Sequence, residues 1–140
     1  MTTTARTHVR PASAGDHATI GAIFESTLAL GRPISVPGLD AYARYSLEWY
    51  RDHPGGHIAV HLRDDIIDGY VLVGTDEDAH ERWQRTAALR YVASLVALAV
   101  RGRLRGDAWR FHRLRLRDGW SLYNAAPVQP ARAHVHLNLL

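Results

Sequence analysis

The stretch His57–Gly74, HIAVHLRDDIIDGYVLVG, decides the fold. Its first part, HIAVHL, sets Ile58, Val60 and Leu62 on one side of an extended chain with a period of two. Arg63 to Asp65 is polar and acidic, which predicts a tight turn. Ile66 to Gly74 is β-branched and almost continuously apolar, which predicts a strand buried on both faces. The two strands make a β-hairpin, so the sheet begins antiparallel.

Toward the N-terminus, DHPGG at Asp52–Gly56 breaks the chain. Before it, AYARYSLEWYR at Ala41–Arg51 predicts a helix with an aromatic face of Tyr42, Tyr45 and Trp49. Ile20, Ile23, Phe24 and Leu28 recur at helical spacing and predict an amphipathic helix over 14–30, stopped by Gly31 and Pro33. THVRP at Thr7–Pro11 reads as a short strand, and Met1–Arg6 as a flexible tail.

Toward the C-terminus, TDED at Thr75–Asp78 has helix-start chemistry. A long helical pattern follows over 77–101. It is apolar almost all round between Leu89 and Val100, which predicts burial. Gly102 and Gly106 break it. Ala108–Leu116 predicts a short basic helix with Trp109, His112 and Leu116 on its buried side, and Asp118–Arg132 reads as loop. AHVHLNLL at Ala133–Leu140 alternates again and predicts a strand. The expected order is β-α-α-β-β-α-α-β. The fold class is α+β (mixed α/β), one domain over 7–140, with a mainly antiparallel central sheet.

Composition narrows the chemistry. The 140 residues contain no cysteine, which excludes disulfides, thiolate nucleophiles and Cys-based zinc sites. All 17 basic residues are arginine, and the net charge is +3. The N-terminus has no apolar core segment of the secretory kind. The longest apolar run, Tyr91–Val100, is about half the length of a bilayer-spanning helix. These features suit a cytoplasmic protein without a membrane span.

Three patterns bear on function. His134, His136 and Asn138 share one side of the last strand, where they suit a polar cleft wall or, for a histidine, a general base. Nothing marks a third ligand, so no metal site is expected. Arginines 101, 103, 105, 110, 113, 115 and 117 interleave with Trp109, Phe111 and Trp120. The pattern suits an anionic surface or nucleic acid, but solvated helix faces explain it more simply. Asp52, His53 and His57 lack the strained G-x-S-x-G nucleophile turn that a Ser-His-Asp site of that kind needs.

Three segments together resemble the GNAT superfamily of N-acetyltransferases. HVRPASAGDHATIGAIF is similar to its opening strand and first helix. HIAVHLRDDIIDGYVLVGT is similar to its second and third strands, and ARAHVHLNLL to its fourth. The form of the last segment is closest to a bacterial branch related to the acetyltransferase-like domain of some O-GlcNAc hydrolases. The resemblance implies an acyl-CoA N-acyltransferase fold and acetyl-CoA as co-substrate, with a small-molecule or peptide amine as acceptor. It implies that Leu137, Leu139 and Leu140 line the thioester arm. His136 would be the base, Asn138 would position substrate or water, and Tyr42, Tyr45, Trp49 and His134 would shape the acceptor pocket. The family's phosphate-binding loop falls beyond Leu140. The chain thus corresponds to the N-terminal half of such a domain, with weak or no acetyl transfer expected of it alone. Two other readings are a non-enzymatic module that pairs with another chain, for instance as a homodimer through the fourth strand's edge, and an Arg-rich binder of nucleic acid or an anionic surface.

Overall fold

The computed structural model describes residues 6–28, 34–124 and 134–139. Its strands are β1 (Thr7–Pro11), β2 (Gly56–Arg63), β3 (Ile66–Gly74) and β4 (His134–Leu139). Its helices are α1 (His17–Thr27), α2 (Leu39–Asp52), α3 (Glu77–Val100) and α4 (Gly106–Asn124). They follow in the expected order, as a mixed α+β fold. The sheet is antiparallel throughout, and its spatial order β1-β2-β3-β4 is that of the chain.

The central hairpin turns on Asp64 and Asp65, whose φ angles are 50° and 64°. A two-residue turn with both φ positive matches the twist of paired strands, and aspartate tolerates that region better than most residues. Arg6 is no part of a loose tail: its amide donates to Asp64 Oδ1 at 2.9 Å, and its carbonyl accepts from the Asp64 amide at 2.8 Å. Within the hairpin, His61 pairs with Gly69 and Leu62 with Ile67, which leaves Asp68 as the extra residue of a β-bulge.

The passage from β1 to α1 is clamped. Both terminal nitrogens of Arg10 donate to Asp16, at 2.7 and 2.9 Å, and the Ser13 amide and hydroxyl donate to the same carboxylate at 2.6 and 2.7 Å. A short 3-10 turn, Ala14–Asp16, therefore precedes α1. Asp76 caps α3 by accepting from the Ala79 amide at 2.9 Å, as the acidic run predicts.

The core lies between the sheet and α1 and α2. Ile20 and Ile23 of α1 and Trp49 and Tyr50 of α2 pack against Val60, Leu62, Tyr70 and Leu72. The chain passes from α2 to β2 so closely that a Cβ on Gly56 would stand 2.5 Å from the Trp49 carbonyl oxygen. Only glycine fits there.

Three expectations are corrected. First, β3 buries one face fully, through Tyr70 and Leu72, while Val71 and Val73 on the other face are half-buried. The reason is that α3 packs on α2 instead of covering the second face of the sheet. Second, for the same reason, the apolar part of α3 is not buried all round. Tyr91 and Leu95 face inward, while Leu89 (72% exposed), Val92, Val96 and Val100 form an exposed stripe. Third, α4 runs to Asn124, well past the predicted end, because Gly119 takes helical geometry instead of breaking it. Its buried face holds Ala108 and His112, while Trp109 is half exposed.

No helix among the described residues is long and apolar enough to cross a membrane.

Candidate functional site

Among the described residues, chemistry gathers on the last strand, in the groove between α2 and α3, and at a histidine–carboxylate pair in the hairpin. In β4, His134 stands opposite Gly74, His136 opposite Leu72 and Asn138 opposite Tyr70. Leu137 stands opposite Val71 and Leu139 opposite Gly69. Leu140 lies outside the described residues. Among these, β4 has a strand on one side only, so its other edge offers free backbone N–H and C=O groups. Tyr70, across from Asn138, has a fully buried hydroxyl with no hydrogen-bond partner among the described residues. Burial pushes that phenol far above its ordinary range, so it stays neutral.

α2 and α3 pack side by side and enclose a groove of about 450 Å³. Tyr45 and Tyr91 stand in its walls, and Ala41, Ala87 and Ala97 leave room between the helices. Burial raises the pKa of both tyrosines, so both remain neutral hydrogen-bonding groups. Arginines 44, 90, 101 and 103 line the groove together with Asp40 and Glu48. Arg44 reaches Asp40, and Arg90 reaches Glu48, each at 3.4 Å.

The groove is braced from beneath. His112 of α4 is fully buried. Its Nε2 donates to the Pro37 carbonyl oxygen at 2.8 Å, which leaves Nδ1 to accept from the Tyr91 hydroxyl at 2.5 Å. Gly38, at the groove's end, has φ 87°, and a Cβ there would fall 2.7 Å from Leu98 Cδ1 and 3.0 Å from His112 Nε2. The helix pair, the loop before α2 and α4 are thus keyed to one another at this point.

The three aromatic residues expected to wall an acceptor pocket part company. Tyr45 lines the groove. Tyr42 packs among Phe24, Tyr91 and Phe111, with ring centroids 5.7 to 5.9 Å away. Trp49 is 1% exposed and sits in the core, its ring 4.5 Å from that of His80 and 5.1 Å from that of His53. It forms no pocket wall, because the inward face of α2 turns it onto the sheet.

The Asp52, His53 and His57 group does not assemble either. Asp52 is held by Arg51, and His53 Nδ1 accepts from the Gly55 amide at 3.0 Å. The structure instead makes a histidine–carboxylate pair that the sequence did not announce: His61 Nδ1 stands 2.5 Å from Asp68 Oδ1, and Arg63 Nε 2.9 Å from Asp68 Oδ2. Only the bulge brings these three together, so no spacing rule could have found them. The arginine run also divides. Arg101, Arg103, Arg105, Arg110, Arg113 and Arg117 are exposed. Arg115 turns inward over the Phe111 and Tyr42 rings and donates to the Leu28 carbonyl at 3.3 Å.

Comparison of the chain with family models, with curated proteins and with solved structures finds no match.

Proposed function

We propose that this chain is an N-acyltransferase-like domain of the GNAT kind, related to enzymes that move an acetyl group from acetyl-CoA to an amine, with binding of acetyl-CoA expected and at most weak transfer by the chain alone. The observation that carries the reading is the position of β4. It lies antiparallel on β3, with α1 and α2 preceding the hairpin and its other edge free among the described residues. That order and pairing suit the first four strands of an acyl-CoA N-acyltransferase fold. The free edge suits a pantetheine arm, which can hydrogen-bond to a strand's backbone much as another strand does. The unpartnered Tyr70 hydroxyl opposite Asn138 suits a polar strand at that register.

In this reading the backbone at Leu137 and Leu139, continuing to Leu140, holds the arm. Acetyl-CoA, when bound, supplies an activated acyl group. His136 accepts the proton that the amine loses, since its intrinsic pKa lies near neutrality. Asn138 and His134 position the amine or a water. Titration calorimetry with acetyl-CoA tests the reading. A dissociation constant of about 1 mM or tighter is expected. Replacing Leu139 by Pro, which removes a backbone N–H donor, is expected to weaken binding. Absence of heat at millimolar acetyl-CoA sinks the proposal.

The exposed stripe Leu89, Val92, Val96 and Val100 favours a second reading, a non-enzymatic module that pairs with another copy. Sedimentation showing a monomer at all accessible concentrations excludes it.

A further inference from the structure

The α2–α3 groove is charged asymmetrically along its length. At one end Glu48 meets Arg90, which leaves no net charge. At the other end stand Arg44, Arg101 and Arg103 against Asp40 alone. Arg44 answers Asp40. Among the described residues Arg101 and Arg103 have no carboxylate partner; Arg101 only reaches back to the Ala97 carbonyl at 3.4 Å. The first turn of α2 opens at this same end, and no side chain caps it. The Leu39 N–H is taken by the Val36 carbonyl, and the C-terminal end of α3 lies here too, so the two helix dipoles offset and the positive charge is that of the arginines. Between the ends lie the Tyr45 ring and small alanine side chains, a surface suited to an apolar or aromatic body. The volume of about 450 Å³ falls in the range of small-molecule sites.

We infer that this groove binds a small organic anion, with its phosphate or carboxylate held by Arg101 and Arg103 and its body laid along Tyr45 toward Ala87. Arginine suits this task because its planar fork meets two oxygens of such a group at once. The inference rests on α2, α3 and the turn after α3, and is independent of β4 and of acyl transfer.

Titration calorimetry of the whole chain with phenyl phosphate, benzoate and inorganic phosphate tests it. Phenyl phosphate or benzoate is expected to bind with a dissociation constant of about 1 mM or tighter, and whichever is tighter identifies the anion class. Inorganic phosphate, which lacks the body, is expected to bind at least about fivefold more weakly than phenyl phosphate. Arg101→Gln with Arg103→Gln is expected to weaken the better probe about tenfold or more. Both side chains are solvent-exposed, so the double variant is expected to keep its circular dichroism and melting temperature. Arg110→Gln with Arg113→Gln removes the same charge outside the groove and is expected to change binding less than about twofold. Three results overturn the inference: no binding by either organic probe, equal weakening by the two double variants, or inorganic phosphate binding as tightly as phenyl phosphate.

Discussion

At the residue scale, the His112 network shows how one buried polar group sets its surroundings. Its two ring nitrogens are both used, one on the Pro37 carbonyl and one on the Tyr91 hydroxyl. His112→Leu would strand both partners in the interior. It is expected to lower unfolding free energy by about 2–4 kcal/mol, whereas Tyr91→Phe, which strands one ring nitrogen, is expected to lower it by about 1–3 kcal/mol. Urea titration of the two variants checks the order. Gly38→Ala is expected to destabilise by about 1–3 kcal/mol, because a Cβ at that positive φ also meets Leu98 and His112. The same titration measures it, and an unchanged midpoint would show that the close packing at Gly38 is mistaken. None of this was legible beforehand. His112 reads in sequence as one of the residues on α4's inward side, but its partners lie 75 and 21 positions away.

At the element scale, period and chemistry served some segments better than others. The hairpin was legible because alternation, a polar turn and β-branched residues agree in one short stretch. The end of α4 was not, since glycine is only a weak helix breaker when the surrounding residues favour the helix. Gly119 has helical geometry, is exposed, and a Cβ on it would meet nothing within 4 Å. Gly119→Ala is therefore expected to stabilise the protein by about 0.5–1 kcal/mol, measured by thermal or urea unfolding. The apolar pattern of α3 overstates its burial for a different reason. An all-round apolar pattern tells that a helix can be buried, not that the fold has enough partners to bury it. Leu89→Gln with Val96→Gln is expected to change stability by less than about 0.5 kcal/mol per site, since both side chains face outward. A loss of several kcal/mol would mean that this face is covered in solution.

At the scale of the whole molecule, acidic groups tie separate parts of the chain together. The Arg10 guanidinium and the Ser13 amide hold the Asp16 carboxyl well below the usual carboxylate range. Hydrogen bonds from Arg51 and from His61 lower Asp52 and Asp68 in the same direction. A carboxyl that loses its proton more readily when folded stabilises the fold fully above its unfolded pKa of about 4, and less as the pH falls through its folded pKa. The melting temperature is therefore expected to hold nearly level from about pH 7 to pH 5 with respect to these groups and to fall below about pH 4. Asp16→Asn is expected to flatten part of that fall and to lower the melting temperature at pH 7, while Asp118→Asn on the exposed face of α4 leaves both nearly unchanged. Identical pH profiles for the wild type and Asp16→Asn would show that the clamp contributes nothing.

The local patterns of the chain determined the four strands and four α-helices of the described residues, their order and the antiparallel hairpin. These depend on periodicity, turn chemistry and caps, all written within a few neighbouring residues. The polar character of the last strand and the aromatic face of α2 were legible for the same reason. Tertiary structure alone decided which aromatic residue lines a groove and which is core, since Tyr45 and Trp49 lie four residues apart on one helix and meet different neighbours. It also decided that α3 leans on α2 and leaves a stripe of its surface open, and that Arg44 of α2, Arg90 of α3 and Arg101 and Arg103 of the turn after α3 line one groove. Those outcomes depend on contacts between residues far apart in the chain, and no local pattern encodes such distances.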